Sequence, residues 1–250
     1  MQFKRHFINL QGIKLRYYTL GSGKPLLFLH GGRVRALTFK KNLELLSKHF
    51  LVIAPDLPGH GESSTPDELW TFADYAKFFD LFLEQLKLHN VIVIGYSRGG
   101  GIALYLTEIS DNISQAIFID AAGVMRDAHK VLFSDLRRLF FYLIHPQYYI
   151  LLISLLKEYI FYHLKHLLDI KDVAKNRNAV RSLEYNPKNK KRVSTYILWG
   201  KDDWVLPVKH GIKLHEKLPN SKLEIVEGNH DWILYKQQLF IKKILSFLKP

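Results

Sequence analysis

Val91-Ile92-Val93-Ile94-Gly95-Tyr96-Ser97-Arg98-Gly99-Gly100 is the stretch that decides the fold. Its first four residues make a short, continuous, β-branched run, the kind that fills a strand buried on both faces. The glycines then permit a turn so tight that the strand and a following helix, from about Gly100, can approach each other closely. Gly95-x-Ser97-x-Gly99 is the pattern of a nucleophile on a strained strand-to-helix turn, and both the strand before it and the helix after it are present. Such a turn lifts the Ser97 hydroxyl above the sheet edge and aims the helix N-terminus at it. Backbone N–H groups there stabilise negative charge.

Working outward, the same reading repeats on both sides. Phe3 to Leu10 and Ile13 to Leu20 flank Gln11-Gly12 as an antiparallel hairpin, and Pro25 to Leu29 follows the turn Gly21-Ser22-Gly23. Further buried-type strands are Phe50 to Ala54, Ala116 to Ile119, Thr195 to Trp199 and Leu223 to Val226. Longer amphipathic segments alternate with them, which predicts βαβ units, a mostly parallel sheet and helices on both faces. There is no internal repeat or low-complexity tract.

The alternation stops from about Val124 to Arg192, where long runs of Leu, Ile, Tyr and Phe are broken only at Pro146 and Pro187. That stretch predicts an inserted helical subdomain. It is also the basic part of the chain: fourteen Lys/Arg against six Asp/Glu give +8, out of a formal +13 for all 250 residues. Two independent signals therefore mark one boundary, with residues 1–123 and 193–250 as the core and residues 124–192 as the insertion.

Composition narrows the chemistry. A chain that is 48% hydrophobic and 24% charged buries a full core, which excludes a disordered or collagen-like protein. With Cys 0 there is no thiol nucleophile, thiolate metal site or disulfide scaffold, so hydroxyls, carboxylates and the 12 His must carry any reaction. The first eight residues lack the apolar run of a secretory signal, and no run of 18 or more uninterrupted apolar residues occurs, so a cytoplasmic location is the expectation.

A serine hydroxyl attacks poorly unless a base removes its proton, so Ser97 requires a histidine and a carboxylate to orient it. Both occur later in the chain, just beyond strands. Gly200-Lys201-Asp202-Asp203-Trp204 leaves the strand ending near Trp199, and Glu227-Gly228-Asn229-His230 follows the last strand. Carboxyl ends of parallel strands converge at one sheet edge, where sites form. Asp120, after Ile117-Phe118-Ile119, is an alternative acid. Two N–H donors must also face the oxygen on which charge develops. The backbone N–H groups of Arg98 and of Gly32, in His30-Gly31-Gly32-Arg33, are assigned to that oxyanion hole, with Arg33 as the fallback.

Together these pieces resemble the alpha/beta-hydrolase superfamily, in its single-chain, helical-lid form. The matching segments are His30-Gly31-Gly32, Asp56-Leu57-Pro58-Gly59-His60-Gly61-Glu62-Ser63, Gly95 to Gly100, and the two late loops. The family's late acid commonly reads G-x-x-D-x-x-x-P, which falls on Gly200, Asp203 and Pro207 and so favours Asp203 over Asp202. The resemblance implies a Ser97–His230–Asp203 triad and a helical lid in residues 124–192. Arg98 departs from the small or apolar residue usual after the nucleophile. A cation there could recruit an anionic acyl group or pair with Asp56 or Glu62.

The expected activity is serine hydrolysis of a carboxylic ester or related acyl compound with an apolar or aromatic part. Carbon–carbon hydrolysis, thioester hydrolysis, acyl transfer, or small-ligand binding without turnover are the alternatives. His30 and His60 are read as turn-forming residues. Gly21-Ser22-Gly23-Lys24 fails as a phosphate loop because Tyr18 stands where Gly is needed and Pro25 where Ser or Thr is needed. No spaced ligand set occurs, so neither metal nor organic cofactor is expected. The aromatic residues Phe140, Phe141, Tyr142, Tyr148, Tyr149, Tyr159, Phe161 and Tyr162 are expected to pack the lid, to line an acyl pocket, or both. The basic residues from Arg126 to Arg138 and from Lys188 to Arg192 are read as a solvated face that could also touch anionic membrane. Nucleic acid is not an expected partner, and the sequence leaves the oligomeric state open.

Overall fold

The buried-type runs of the sequence become the middle of one eight-stranded sheet, except Leu223 to Val226, which lies in an edge strand and leaves Ile225 exposed. The computed structural model describes residues 2–125, 131–166, 184–186, 193–218 and 220–248. The strands are β1 (Lys4–Leu10), β2 (Ile13–Leu20), β3 (Pro25–Leu29), β4 (Leu51–Pro55), β5 (Val91–Tyr96), β6 (Ile113–Ile119), β7 (Ser194–Gly200) and β8 (Ser221–Val226). Their order is β1-β2-β4-β3-β5-β6-β7-β8. β1 pairs antiparallel with β2 and β2 with β4; every pairing from β4 through β8 is parallel. This is the alpha/beta-hydrolase fold.

Period-two alternation divides the strand side chains between two cores. Leu27, Leu29, Val93 and Phe118 face one layer, with Phe72, Phe79, Ile102 and Leu214. Leu26, Phe28, Ile94 and Ile117 face the other, with Phe39, Leu43, Phe240 and Ile244. The first layer is built by α2 (Phe72–Gln85), α3 (Arg98–Ile109) and α6 (Lys209–Lys217), and the second by α1 (Lys40–Leu46), α7 (Trp232–Tyr235) and α8 (Gln237–Leu248). α2 begins at a capping box in which Thr71 and Asp74 satisfy each other's backbone N–H.

Between β6 and β7 in the chain lie α4 (Val131–Leu143) and α5 (Tyr149–Lys165), separated by a 3-10 turn at Pro146–Tyr148. Pro146 cannot continue the hydrogen-bond ladder of α4, and it opens the turn that redirects the chain. The inner side of α5 is anchored to loops at the carboxyl edge of the sheet. Arg35 Nε meets Glu158 at 2.9 Å, His166 Nε2 donates to the Gly59 carbonyl at 2.8 Å, and Lys165 Nζ donates to the carbonyls of Gly61 and Ser63. The basic runs at 126–130 and 187–192 lie outside the described residues.

Candidate active site

The elbow forms as the glycine pattern requires. Ser97 has φ 52° and ψ −114°, a strained conformation for a residue with a side chain. Neighbouring backbone overdetermines it: Ser97 N–H donates to the Ile119 carbonyl at 2.9 Å, and the Ser97 carbonyl accepts from Gly101 and Ala122 at 3.1 and 2.9 Å. The strand and the helix it feeds touch at Gly95 and Gly99. A Cβ on Gly95 would lie 2.4 Å from the Gly99 carbonyl oxygen, and one on Gly99 would lie 2.1 Å from that of Leu29. α3 begins at Arg98, immediately after the serine, two residues earlier than the sequence suggests.

His230 follows β8, and its Nε2 lies 3.0 Å from Ser97 Oγ. On the other side of the ring, His230 Nδ1 lies 2.6 Å from Asp203 Oδ2. The second carboxylate oxygen of Asp203 accepts from Val205 N–H and Leu206 N–H, each at 2.8 Å, so the acid is held from both sides. Asp203 and His230 are buried, whereas Asp202 is exposed. Three residues from three distant loops thus form one hydrogen-bonded chain.

Asp120 lies beside this chain but is bonded elsewhere. Its Oδ1 accepts from Gly200 N–H at 2.7 Å and its Oδ2 from the Trp232 indole N–H at 2.9 Å. Burial, and then the neighbouring Asp203 charge, push its carboxyl well above the usual range. Donor atoms of Asp120, Asp203 and His230 lie within 4.8 Å of one another, close enough for a metal, but every one of these residues already has a protein hydrogen-bond partner.

The loop after β3 lies against the elbow. His30 is fully buried; its Nδ1 donates to the Gly31 carbonyl at 2.7 Å and its Nε2 accepts from Leu57 N–H at 2.9 Å. Those two bonds specify the neutral tautomer, and burial lowers its pKa to about 4. Because the Gly31–Gly32 peptide is trans, its N–H points opposite to the carbonyl that His30 holds. A Cβ on Gly31 would meet the Tyr96 ring at 2.9 Å and Ser97 Cβ at 3.5 Å, so this peptide borders the nucleophile directly. Arg33 takes φ 64°. His60 is also buried and held well below its ordinary pKa, by burial first and then by the Arg98 charge.

Arg98 hydrogen-bonds the Tyr75 hydroxyl, and its Nε lies 3.1 Å from where a Gly32 Cβ would be. Asp56 and Glu62 are served by a cation that the sequence reading passed over. Arg16 on β2 is buried, donates from Nε to Asp56 at 2.7 Å, and also pairs with Glu62.

A second cluster missed from sequence surrounds Asp231, the residue after His230. Arg138 on α4 forms a two-pronged pair with the Asp231 carboxylate, with Nη2 to Oδ1 at 2.7 Å, and Tyr142 on the same helix donates to it at 2.9 Å. Tyr96, adjacent to the nucleophile, donates its hydroxyl to the His230 carbonyl at 3.0 Å. Burial opposes the Arg138 charge, but Asp231 more than offsets this and holds the guanidinium above its usual pKa. α4 is thereby clamped to the loop that carries the histidine. The one sequence signal was an acidic residue next to the candidate base, and the pairing spans 93 residues.

Comparison with known proteins agrees with this fold. Residues 24–183 match the alpha/beta hydrolase fold family. The 2-hydroxy-6-oxo-6-(2'-aminophenyl)hexa-2,4-dienoic acid hydrolase of Metapseudomonas resinovorans is 24% identical over 268 residues, spanning 98% of this chain and 91% of that protein. An esterase from Exiguobacterium antarcticum superposes with TM-score 0.75 at 26% identity, covering 98% of this chain and 99% of the esterase. The enol-lactonase from Burkholderia xenovorans LB400 superposes with TM-score 0.83 at 16% identity, covering 97% and 99%, which speaks to the fold alone.

Proposed function

The chain belongs to the alpha/beta-hydrolase family, and we propose that within it the protein is a serine hydrolase of carboxylic esters or related acyl compounds. The observation that carries this reading is the Ser97–His230–Asp203 chain of hydrogen bonds, 3.0 and 2.6 Å long. His230 Nε2 removes the hydroxyl proton as Ser97 Oγ attacks the carbonyl carbon. Asp203 holds Nδ1–H and balances the imidazolium that forms. The backbone N–H groups of Arg98 and Gly32 receive the oxyanion; the first is the opening residue of α3, and the Gly31–Gly32 peptide borders Ser97. His230 then returns its proton to the leaving group. A water molecule, deprotonated by the same nitrogen, cleaves the acyl-enzyme.

In this reading α4 and α5 form a lid over the carboxyl edge, and residues 124–192 are the insertion that supplies it. Tyr142, Tyr162 and Leu155 face inward from these helices, which supports a substrate with an apolar or aromatic part. Labelling with a fluorophosphonate tests the proposal: stoichiometric modification of Ser97, abolished in Ser97→Ala, is expected. For a nitrophenyl ester that variant should lose about 10⁴-fold or more in turnover. An unlabelled wild-type protein, or a fully active variant, would reject the triad.

A further inference from the structure

We infer that the outer face of the α4–α5 helix pair is a docking surface for an anionic phospholipid bilayer, lying in the membrane interface and not across it. Of the seventeen large apolar side chains exposed among the described residues, twelve fall between Leu139 and Leu164. Single exposed apolar residues are ordinary; a concentration of this kind marks an interaction site.

The pattern along α5 shows that this face is extra to the fold. Leu155, Glu158, Tyr162 and His166 are spaced three or four apart and turn inward, where Glu158 meets Arg35 and His166 meets the Gly59 carbonyl. That stripe satisfies the helix's need to pack. Ile150, Ile153, Ile160 and Leu164 form the opposite stripe and are exposed, Ile150 at 86%. A surface helix of a water-soluble protein carries polar residues there, whereas a helix apolar all round is covered by something. Between Ile153 and Ile160 the stripe holds Lys157, also exposed.

Charge selects the occupant. In sequence, the segment from Val124 to Arg192 has fourteen Lys/Arg against six Asp/Glu, of which Arg137, Arg138, Lys157 and Lys165 fall among its described residues, with Arg137 and Lys157 exposed. A second copy docked here would bring two such segments together, against their mutual repulsion. Anionic headgroups would be attracted to the same charge, while acyl chains receive the isoleucine stripe. Among the described residues no single helix is long and apolar enough to cross a membrane; Arg137–Leu143 with Pro146–Lys165 passes only as a pair bent by 107°. The inner face is meanwhile fixed to the hydrolase body through Arg35, Gly59 and Asp231. A bent, one-sided anchor of this form lies on a bilayer.

The test is cosedimentation of the full chain with vesicles of phosphatidylglycerol and phosphatidylcholine, compared with phosphatidylcholine alone. Binding is expected to the anionic vesicles, and to weaken between about 0.05 and about 0.5 M salt as headgroup attraction is screened. Ile153→Asp with Ile160→Asp should lower the partition coefficient at least about tenfold, since each removes apolar burial and adds repulsion. Lys157→Glu, which leaves the apolar stripe intact, should lower it by about fivefold and make it less salt-dependent. Neither isoleucine belongs to the proposed catalytic machinery, so hydrolysis of a water-soluble ester should be unchanged in the double variant. That separates failure of the surface from failure of the triad. No binding to anionic vesicles, undiminished binding by a folded double variant, or a dimer that the same double variant dissolves would each overturn the inference.

Discussion

Replacing Arg138 by Met tests whether the α4 clamp supports the loop that carries His230. The substitution keeps an unbranched apolar stem and removes the guanidinium that makes two bonds to Asp231. The Asp231 carboxylate is 1% exposed, so it would be left as a buried charge with Tyr142 as its strongest remaining donor, at 2.9 Å, and Tyr96 as a weaker one, at 3.3 Å. Removing one partner of a buried ion pair costs about 3–5 kcal/mol. The Arg138 side chain is 27% exposed and two tyrosine donors persist, so we place the loss just below that range, at about 2–3 kcal/mol.

Denaturant unfolding of Arg138→Met, Asp231→Asn and the double variant measures this directly. The double variant should recover much of the loss, because it leaves no buried charge without a partner, and the cycle should show a coupling of about 1.5 kcal/mol or more. The rate of fluorophosphonate labelling at Ser97 reads the catalytic consequence. It should fall in Arg138→Met, because the carbonyl of His230 and the side chain of Asp231 share the Tyr96 hydroxyl and relax together. If Arg138→Met unfolds within about 0.5 kcal/mol of wild type, as an ordinary surface substitution would, the clamp has no structural weight.

Other expectations follow from the same geometry. Asp203→Asn should reduce turnover by about 10⁴-fold with little change in KM, because an amide presents the wrong partner to Nδ1 and favours the other tautomer; an active variant would assign the acid elsewhere. His30, with its pKa lowered to about 4 in the folded chain, stays neutral while the unfolded chain protonates near 6.5. Its contribution is therefore complete above pH 6.5 and is lost as pH falls towards 4, by about 3 kcal/mol in total. Urea titrations from pH 7 to 4 should show that decline, and His30→Gln should make it shallower; an unchanged slope would mean that His30 titrates normally.

What could be read from the sequence depended on how far apart the cooperating residues lie. Gly95, Ser97 and Gly99 determine the elbow within five residues, and the glycines are needed because β5 and α3 touch there. β3 through β5 could be read because both faces are buried, which leaves unbroken apolar runs. β6 was read three residues short: it starts at Ile113, but Ser114 and Gln115 interrupt the apolar run. Asp203 and His230 could be found separately because each follows a strand, although only the fold brings them within 2.6 Å of each other.

The charge clusters follow the opposite rule. Arg16 reaches Asp56 across 40 residues and Arg138 reaches Asp231 across 93, and no local pattern announces either pair. Arg16 and Asp56 are both buried, and Asp231 is buried under a half-buried Arg138; each pair is costly to desolvate and improbable until the partner is in place, so sequence alone offers no reason to expect either. Their positions are nevertheless systematic. Arg16 and Asp56 tie β2 to the loop after β4, whose Gly59, Gly61 and Ser63 carbonyls receive the end of α5. Arg138 and Asp231 tie α4 to the loop after β8. Among the described residues, α4 and α5 are thus each fixed, through a polar contact, to a loop that is itself tied to the sheet. This arrangement holds the inner faces of α4 and α5 against the site without using any of the apolar residues on their outer faces.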